Sequence, residues 1–551
     1  MPPATQFVAA GKQGADARLR FAHGSYGALV SRVDRLLPWL AGAITLVVAL
    51  LAIDPLPVGV FYDDAQYLIL AKSLAGGEGY RFLNLPGAPL ATHFPPGYPA
   101  LLAILWKLSP SFPENVALFK FANAILLAIV AVLGYRLARR PMGVPSPMAF
   151  VATLAGTATI PSLVLSSSIM SEPLFLALLI PVLVWAERST AERPPDETGA
   201  HELRTAMLLG AGVGCLALVR THGIVLAPAI AACYVRHGRR RAAWSSAAAS
   251  LLVVAPWLIW VQLHDAALPE LVRGAYGSYS GWLATGFRVE GPRLLGATAL
   301  DNMATIWWTI GRCLVPAGQP FLELIAAVAF VGLTVAGIGT LWRCARVTLL
   351  FVALYLVVVI IWPFSPLRFV WGIWPLLMLV PAAGAQALWR TGGDPRTRLA
   401  LRTVAVAASA VIAAGTVWFN ARGYANAWWA ANARFHARRV LPQLAWVARA
   451  SRPADVIASD AEGAVYLYTG RRAVPITSFT AAEYVHDRTA NDQIAIVRGL
   501  VDRYQPSFVV VTSPRLIEAA SRIAAAQPTV LVRIDSIARG EVYAHPPRGG
   551  R

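Results

Sequence analysis

The chain has 551 residues, 57% of them hydrophobic and 14% charged, with a formal net charge of +19. At a mean hydropathy of +0.55 it does not divide into three or four water-soluble domains, and its apolar runs approach the ~20 residues that cross a bilayer. The positive charge does not make a nucleic-acid binder, because most arginines sit in short clusters beside apolar runs, as membrane topology requires.

Residues 1–36 are basic and polar, and Arg18, Arg20, Arg32 and Arg35 place them in the cytoplasm. The run Leu37–Ile53 has no small-residue cleavage site after it and is expected to remain as the first span. The loop 54–115 then emerges on the outer face. Within it, Asp63 and Asp64 open a segment in which Tyr67, Leu70, Ala71 and Leu74 recur at the spacing of one helical face. The run 97–108 is about half a span long and is expected to be re-entrant or interfacial. Were it to cross, Arg139 and Arg140, which end the span 116–138, would lie outside.

Further spans are expected at 147–165, 173–187, 205–220, 222–235, 243–263, 321–342, 347–363, 369–389 and 402–420, eleven in all. This count puts the clusters Arg236/Arg239/Arg240/Arg241, Arg343/Arg346 and Arg390/Arg396/Arg398/Arg402 inside and the C-terminus outside. The Arg220-Thr221-His222-Gly223 segment is either a loop or a kink. The Ser166–Glu172 turn, the long loop 264–320 and the Pro363–Arg368 turn share the outer face with the Asp63 loop.

Beyond about residue 430 the pattern becomes soluble. Residues 455–460, 464–470, 508–513 and 529–534 have the composition of short buried strands, with helices near 490–503 and 515–526. The expected fold is therefore a polytopic α-helical membrane domain, 37–425, followed by a small extracytoplasmic α/β domain, 426–551. Cys215, Cys233, Cys313 and Cys344 have no metal-ligand spacing. Neither GGEG (76–79) nor GAGVG (210–214) is a phosphate loop, and the second suits close helix packing.

Asp63 and Asp64 carry the chemistry. One acid at a helix start is explained by the unpaired N–H groups and the dipole there. Two, behind Phe61 and Tyr62 at a membrane surface, go further, and one of them can act as general base on an acceptor hydroxyl. Glu172 opens the fourth span between Ser171 and Pro173, where helix capping alone would also suit it. Arg368 stands on the outer face, which the charge bias disfavours, and its guanidinium suits a lipid phosphate. Arg220 and His222 form a second polar pair near that boundary. His93, Tyr98 and Tyr67 are candidate substrate-lining residues, and Tyr276, Tyr279, Trp282, Trp307 and Trp308 in the long loop could cover a sugar or form an interfacial belt.

The order YDDAQYLILAKSLAGGEGY, then HFPPGYPALLAILWKL, then a span ending RLARR, resembles the start of the GT-C glycosyltransferases. The relevant relatives are of the protein O-mannosyltransferase, lipid A aminoarabinose transferase and bacterial Rgt-like type. The resemblance covers about residues 60–390 and is strongest in the first third. It implies transfer of a sugar from a polyprenyl-phosphate carrier to a glycan, lipid or protein acceptor on the outer face of the cytoplasmic membrane. It implies Asp63 as the catalytic acid, with Asp64 in place of a more usual glutamate, so the base stays open between the two. It further implies Glu172 as a second active-site carboxylate and donor-phosphate binding by Arg368; Arg220 is a second candidate for that phosphate. A divalent cation held by Asp63 and Glu172 is possible, and no other cofactor is implied. The rival readings are a lipid-linked sugar flippase, which would need mid-span charges and inverted repeats, and a non-catalytic scaffold for envelope assembly.

Overall fold

The computed structural model describes residues 34–191 and 199–546. The basic segment bearing Arg18, Arg20 and Arg32 lies outside the described residues. Seven described helices are long and apolar enough to cross a membrane: Asp34–Leu51, Val116–Arg139, Glu172–Thr190, Gly199–Val219, Arg240–Ala267, Pro320–Cys344 and Pro395–Ala425. Ser146–Thr157 and Ile160–Ser167 form one more if the 48° bend between them lies within a single span. Pro161 explains that break, because proline is tolerated in the first turn of a new helix and not inside a continuing one. Thr221–Arg236 and Arg346–Ile361 are shorter apolar helices. The last broken piece runs through Leu367–Gly372, Trp374–Leu377 and Leu379–Arg390. Every expected span thus has a helix, and the protein is a multi-pass membrane protein.

Contacts between helix ends sort the bundle. At one end Arg139 pairs with Asp34 at 2.6 Å, Arg346 Nη1 lies 3.3 Å from His237 Nε2, and Arg239 pairs with Glu202. The Arg343/Arg346 end also meets the Arg139 end, where Cys344 Sγ lies 3.8 Å from the Met142 carbonyl oxygen, so these three basic clusters share one pole. The helix Gly97–Leu108 has both ends at the opposite pole. Gly97 packs against Leu218 and Val219, and Phe112, just beyond the helix, meets the Tyr468 ring of the C-terminal domain at 4.9 Å. The GAGVG stretch does pack closely: a Cβ on Gly210 would fall 2.1 Å from the Ser246 carbonyl oxygen.

The segment 264–320 is not a loop. It holds the helices Glu270–Tyr276, Tyr279–Glu290 and Pro292–Leu314. Gly291, at φ 61°, ends one and Pro292 starts the next, a stop-and-start signal that its polar composition concealed. Asn302 on the third helix donates to the carbonyls of Val359, Ile360 and Trp362, which capping leaves open at the end of Arg346–Ile361.

The C-terminal domain is a five-stranded sheet of order β2-β1-β3-β5-β4. Its strands are β1 (Val456–Ser459), β2 (Arg472–Pro475), β3 (Phe508–Val511), β4 (Val532–Ile537) and β5 (Gly540–Ala544). β1 runs parallel to β2 and β3, and β5 antiparallel to β3 and β4. One expected strand, 464–470, is instead the helix Glu462–Thr469. Its valine and tyrosines favour a strand, but burial overrides propensity here. Glu462–Leu467 are all buried, Gly463 packs on Ala65 of the helix Asp63–Ala75, and Gly470 at φ 73° terminates the turn. This helix joins the C-terminal domain to the Asp63 segment.

Candidate active site

The Asp64 carboxylate accepts backbone N–H groups from Gly59 at 2.6 Å, Val60 at 3.0 Å and Phe61 at 3.0 Å. This folds the approach to the helix back on itself. Tyr62 then adopts φ 68° and ψ −55°, and the Asp63 N–H donates to the Phe61 carbonyl at 2.8 Å. That is a γ-turn, rare and strained for a residue with a side chain. Burial pushes the Asp64 carboxyl above its ordinary range, and the three donors partly oppose it. Asp64 does not line the cavity described next.

Asp63 does. Its Oδ2 lies 2.5 Å from Arg368 Nη2. Arg368 Nε is 3.7 Å from Glu172 Oε1, and Arg220 Nη1 reaches that same oxygen at 2.8 Å. Arg220 also donates to Ser171 Oγ at 2.9 Å, which Tyr67 Oη approaches at 3.3 Å. Two acids and two arginines therefore form one alternating chain, Asp63–Arg368–Glu172–Arg220. Glu172 is 2% exposed and Arg368 23%, so the chain runs from the bundle interior to an accessible end. Burying such charges is tolerable only because each is paired.

The accessible end opens into a cavity of about 540 Å³, where the bundle meets the C-terminal domain. Asp63, Tyr67, His93, Arg220, His222 and Arg368 all line it. His93 donates from Nδ1 to the Gly277 carbonyl at 2.5 Å, and burial pushes its imidazole toward the neutral form. His222 sits among the rings of Tyr355, Trp362 and Phe369, 5.0–5.7 Å away. Glu172 lies behind the arginines. Tyr98 is set back too, with its hydroxyl on Asn123 and its ring 5.1 Å from that of Tyr67. Of the aromatic residues in 264–320, Tyr279 lines the cavity, and Trp282 stacks on its neighbour Phe479 at 5.4 Å.

The C-terminal domain closes the cavity with Ser459, Asp460, Glu462, Pro475, Thr477 and Phe479. Sequence reasoning passed over Asp460 and Glu462. The available signal was an acid at the end of a parallel strand: Asp460 follows β1, where neighbouring strands diverge and α/β sheets expose their ligands. It accepts from the N–H groups of Thr512 at 3.0 Å and Ser513 at 2.8 Å, and pairs with Arg439. Glu462 accepts from Tyr276 Oη at 3.0 Å, while Asn84 and Gln66 donate to that hydroxyl oxygen. Burial raises its carboxyl to about 7. The docking is close at the backbone: a Cβ on Gly274 would fall 1.6 Å from the Phe479 carbonyl oxygen.

Among the described residues no group of three or more His, Cys, Asp or Glu side chains is arranged to hold a metal ion. Asp63 and Glu172 could offer a cation few oxygens against the six to eight that calcium takes. The Arg368 guanidinium already bridges them.

No family model and no curated protein sequence matches this chain. Among solved structures it is similar to ArnT from Cupriavidus metallidurans bound to undecaprenyl phosphate. That match has 14% identity and a TM-score of 0.52, covering 92% of this chain and 98% of that one. It is also similar to the archaeal oligosaccharyltransferase AglB from Archaeoglobus fulgidus in complex with an inhibitory peptide and a dolichol-phosphate. There the identity is 12% and the TM-score 0.54, over 94% of this chain and 75% of that one. These likenesses show the fold: a polytopic helical membrane domain with a small C-terminal α/β domain.

Proposed function

We propose that this protein is a membrane glycosyltransferase that moves a sugar from a polyprenyl-phosphate carrier to an acceptor hydroxyl. The observation that carries this reading is the joint presence, in one cavity, of the Asp63 carboxylate and the Arg368 and Arg220 guanidiniums. A base and a phosphate-sized cationic site are what such a transfer needs. The two similar structures hold undecaprenyl phosphate and dolichol-phosphate, which supports a lipid-linked donor.

In the proposed reaction an acceptor hydroxyl gives its proton to Asp63, and its oxygen attacks the anomeric carbon. The bond from that carbon to the carrier phosphate breaks, and the electron pair leaves with the phosphate oxygen. Arg368 and Arg220 stabilise that developing charge, as paired guanidinium donors do well. Attack opposite the leaving phosphate inverts the anomeric centre. Glu172 holds both arginines in place. The acceptor, whether glycan, lipid or protein, enters beneath the wall formed by the C-terminal domain. The positive-inside bias supports an extracytoplasmic side for this cavity and residues 426–551, with the N-terminus in the cytoplasm.

The test is transfer from a radiolabelled polyprenyl-phosphate sugar by purified protein, comparing wild type with Asp63→Asn. Removing a general base is expected to lower turnover by about 10²–10⁴-fold in a protein that still folds. Equal turnover in the two proteins would rule out Asp63 as the base.

A further inference from the structure

Arg368 carries two duties in the reading above, and the geometry sets them against each other. Its Nη2 is held 2.5 Å from Asp63 Oδ2, and its Nε faces Glu172 Oε1 at 3.7 Å. Glu172 is deeply buried and also engaged by Arg220 at 2.8 Å, so it stays in place. Asp63 is the movable partner. Its backbone is fixed by the γ-turn, but its side chain is 13% exposed at the cavity wall. A phosphate that takes the accessible edge of Arg368 meets the Asp63 carboxylate there. Both are anions and both seek the same N–H donors, so they cannot share that edge without strong repulsion.

We infer that the carrier phosphate and Asp63 compete for Arg368, so that donor binding displaces the Asp63 carboxylate from the guanidinium and turns it toward the acceptor. This rests on the proposed function and adds an order to it. The donor binds first, and the base is released by the same contact that anchors the leaving group. An oxygen held 2.5 Å from a guanidinium faces that donor and not an acceptor hydroxyl. Acceptor activation is therefore coupled to the presence of donor, and the coupling runs through one side chain. Glu172 keeps both arginines, and Arg220 meets the phosphate from the cavity wall without giving up Glu172.

Removing the charge of Asp63 removes the competitor, so Asp63→Asn should bind the carrier more tightly than the wild type. The probe is undecaprenyl phosphate, titrated into the purified full-length protein in lipid nanodiscs. Asp63→Asn is expected to bind about tenfold tighter, a common size for coupling between two ligands of one group. Arg368→Ala should bind more weakly, and adding Asp63→Asn to it should change nothing further. If Arg368→Ala does not fold, Arg368→Lys replaces it and should reduce the gain from Asp63→Asn. Unchanged or weaker binding by Asp63→Asn, with Arg368→Ala still impaired, overturns the competition and leaves the transferase reading intact. Wild-type affinity in Arg368→Ala overturns both the competition and the assignment of Arg368 to phosphate. Loss of transfer in Asp63→Asn is read separately from either titration.

Discussion

The carboxylate of Asp64 spends itself on the N–H groups of Gly59, Val60 and Phe61, while its neighbour Asp63 reaches the cavity and Arg368. Adjacent residues at the head of a helix point about 100° apart, so a doublet naturally divides its labour. Asp64 is a positioning residue: it holds the turn that forces Tyr62 to φ 68° and so aims Asp63. An asparagine would set its NH₂ group against at least one of those three donors. Asp64→Asn is therefore expected to speed amide hydrogen exchange at Gly59–Asp63, which Asp63→Asn leaves unchanged. It should also lower turnover by about 10²-fold, the scale on which misplacement of a reacting group acts, while undecaprenyl phosphate affinity holds. Uniformly faster exchange across the protein would indicate simple unfolding instead. The sequence marked the doublet but not the division, because no propensity anticipates a tyrosine at positive φ. Arg220 and Arg368, which are 148 positions apart, come together through Glu172 alone, and only the fold supplies that bridge.

At the scale of elements, the helix Glu462–Thr469 decides how the C-terminal domain meets the bundle. Its sequence suits a strand by composition, and it is helical because both its faces are buried, one of them on the Asp63 helix. Local preference cannot register a partner four hundred residues away. Glu462 at its first turn is buried with a raised carboxyl, near 7 against an ordinary 4.5. The sign follows directly. The protonated form fits the folded state better, so this group's contribution to stability is full below about pH 4.5 and is lost as pH rises through about 7. The difference between the two values corresponds to roughly 3 kcal/mol. Glu462→Gln is thus expected to unfold at a higher temperature than wild type at pH 8 and to show a flatter profile between pH 5 and 8. Parallel profiles for the two proteins would mean that Glu462 does not carry this dependence.

Across the whole molecule, the apolar runs between the arginine clusters were legible as helices because charge is excluded from the bilayer wherever a helix crosses it. Each expected span has a helix, including the short and broken ones, and Gly97–Leu108 has both ends at one pole. The segment 264–320 resisted the same reasoning. Its longest helix, Pro292–Leu314, packs against the bundle through one face and lacks the uniform apolarity that marks a span. The outer wall of the cavity, with Asp460 and Glu462, was hidden for a related reason: it belongs to a separate domain whose role appears only on docking. What the assembled molecule provides is a single chamber in which the Asp63 carboxylate, the Arg368 and Arg220 guanidiniums and the wall of the C-terminal domain meet. A structure of the wild-type protein with undecaprenyl phosphate tests this most directly. The phosphate is expected on Arg368 and Arg220, with the Asp63 carboxylate turned away from Arg368 into the cavity. A phosphate bound elsewhere, with the Asp63–Arg368 pair intact, would contradict the assignment.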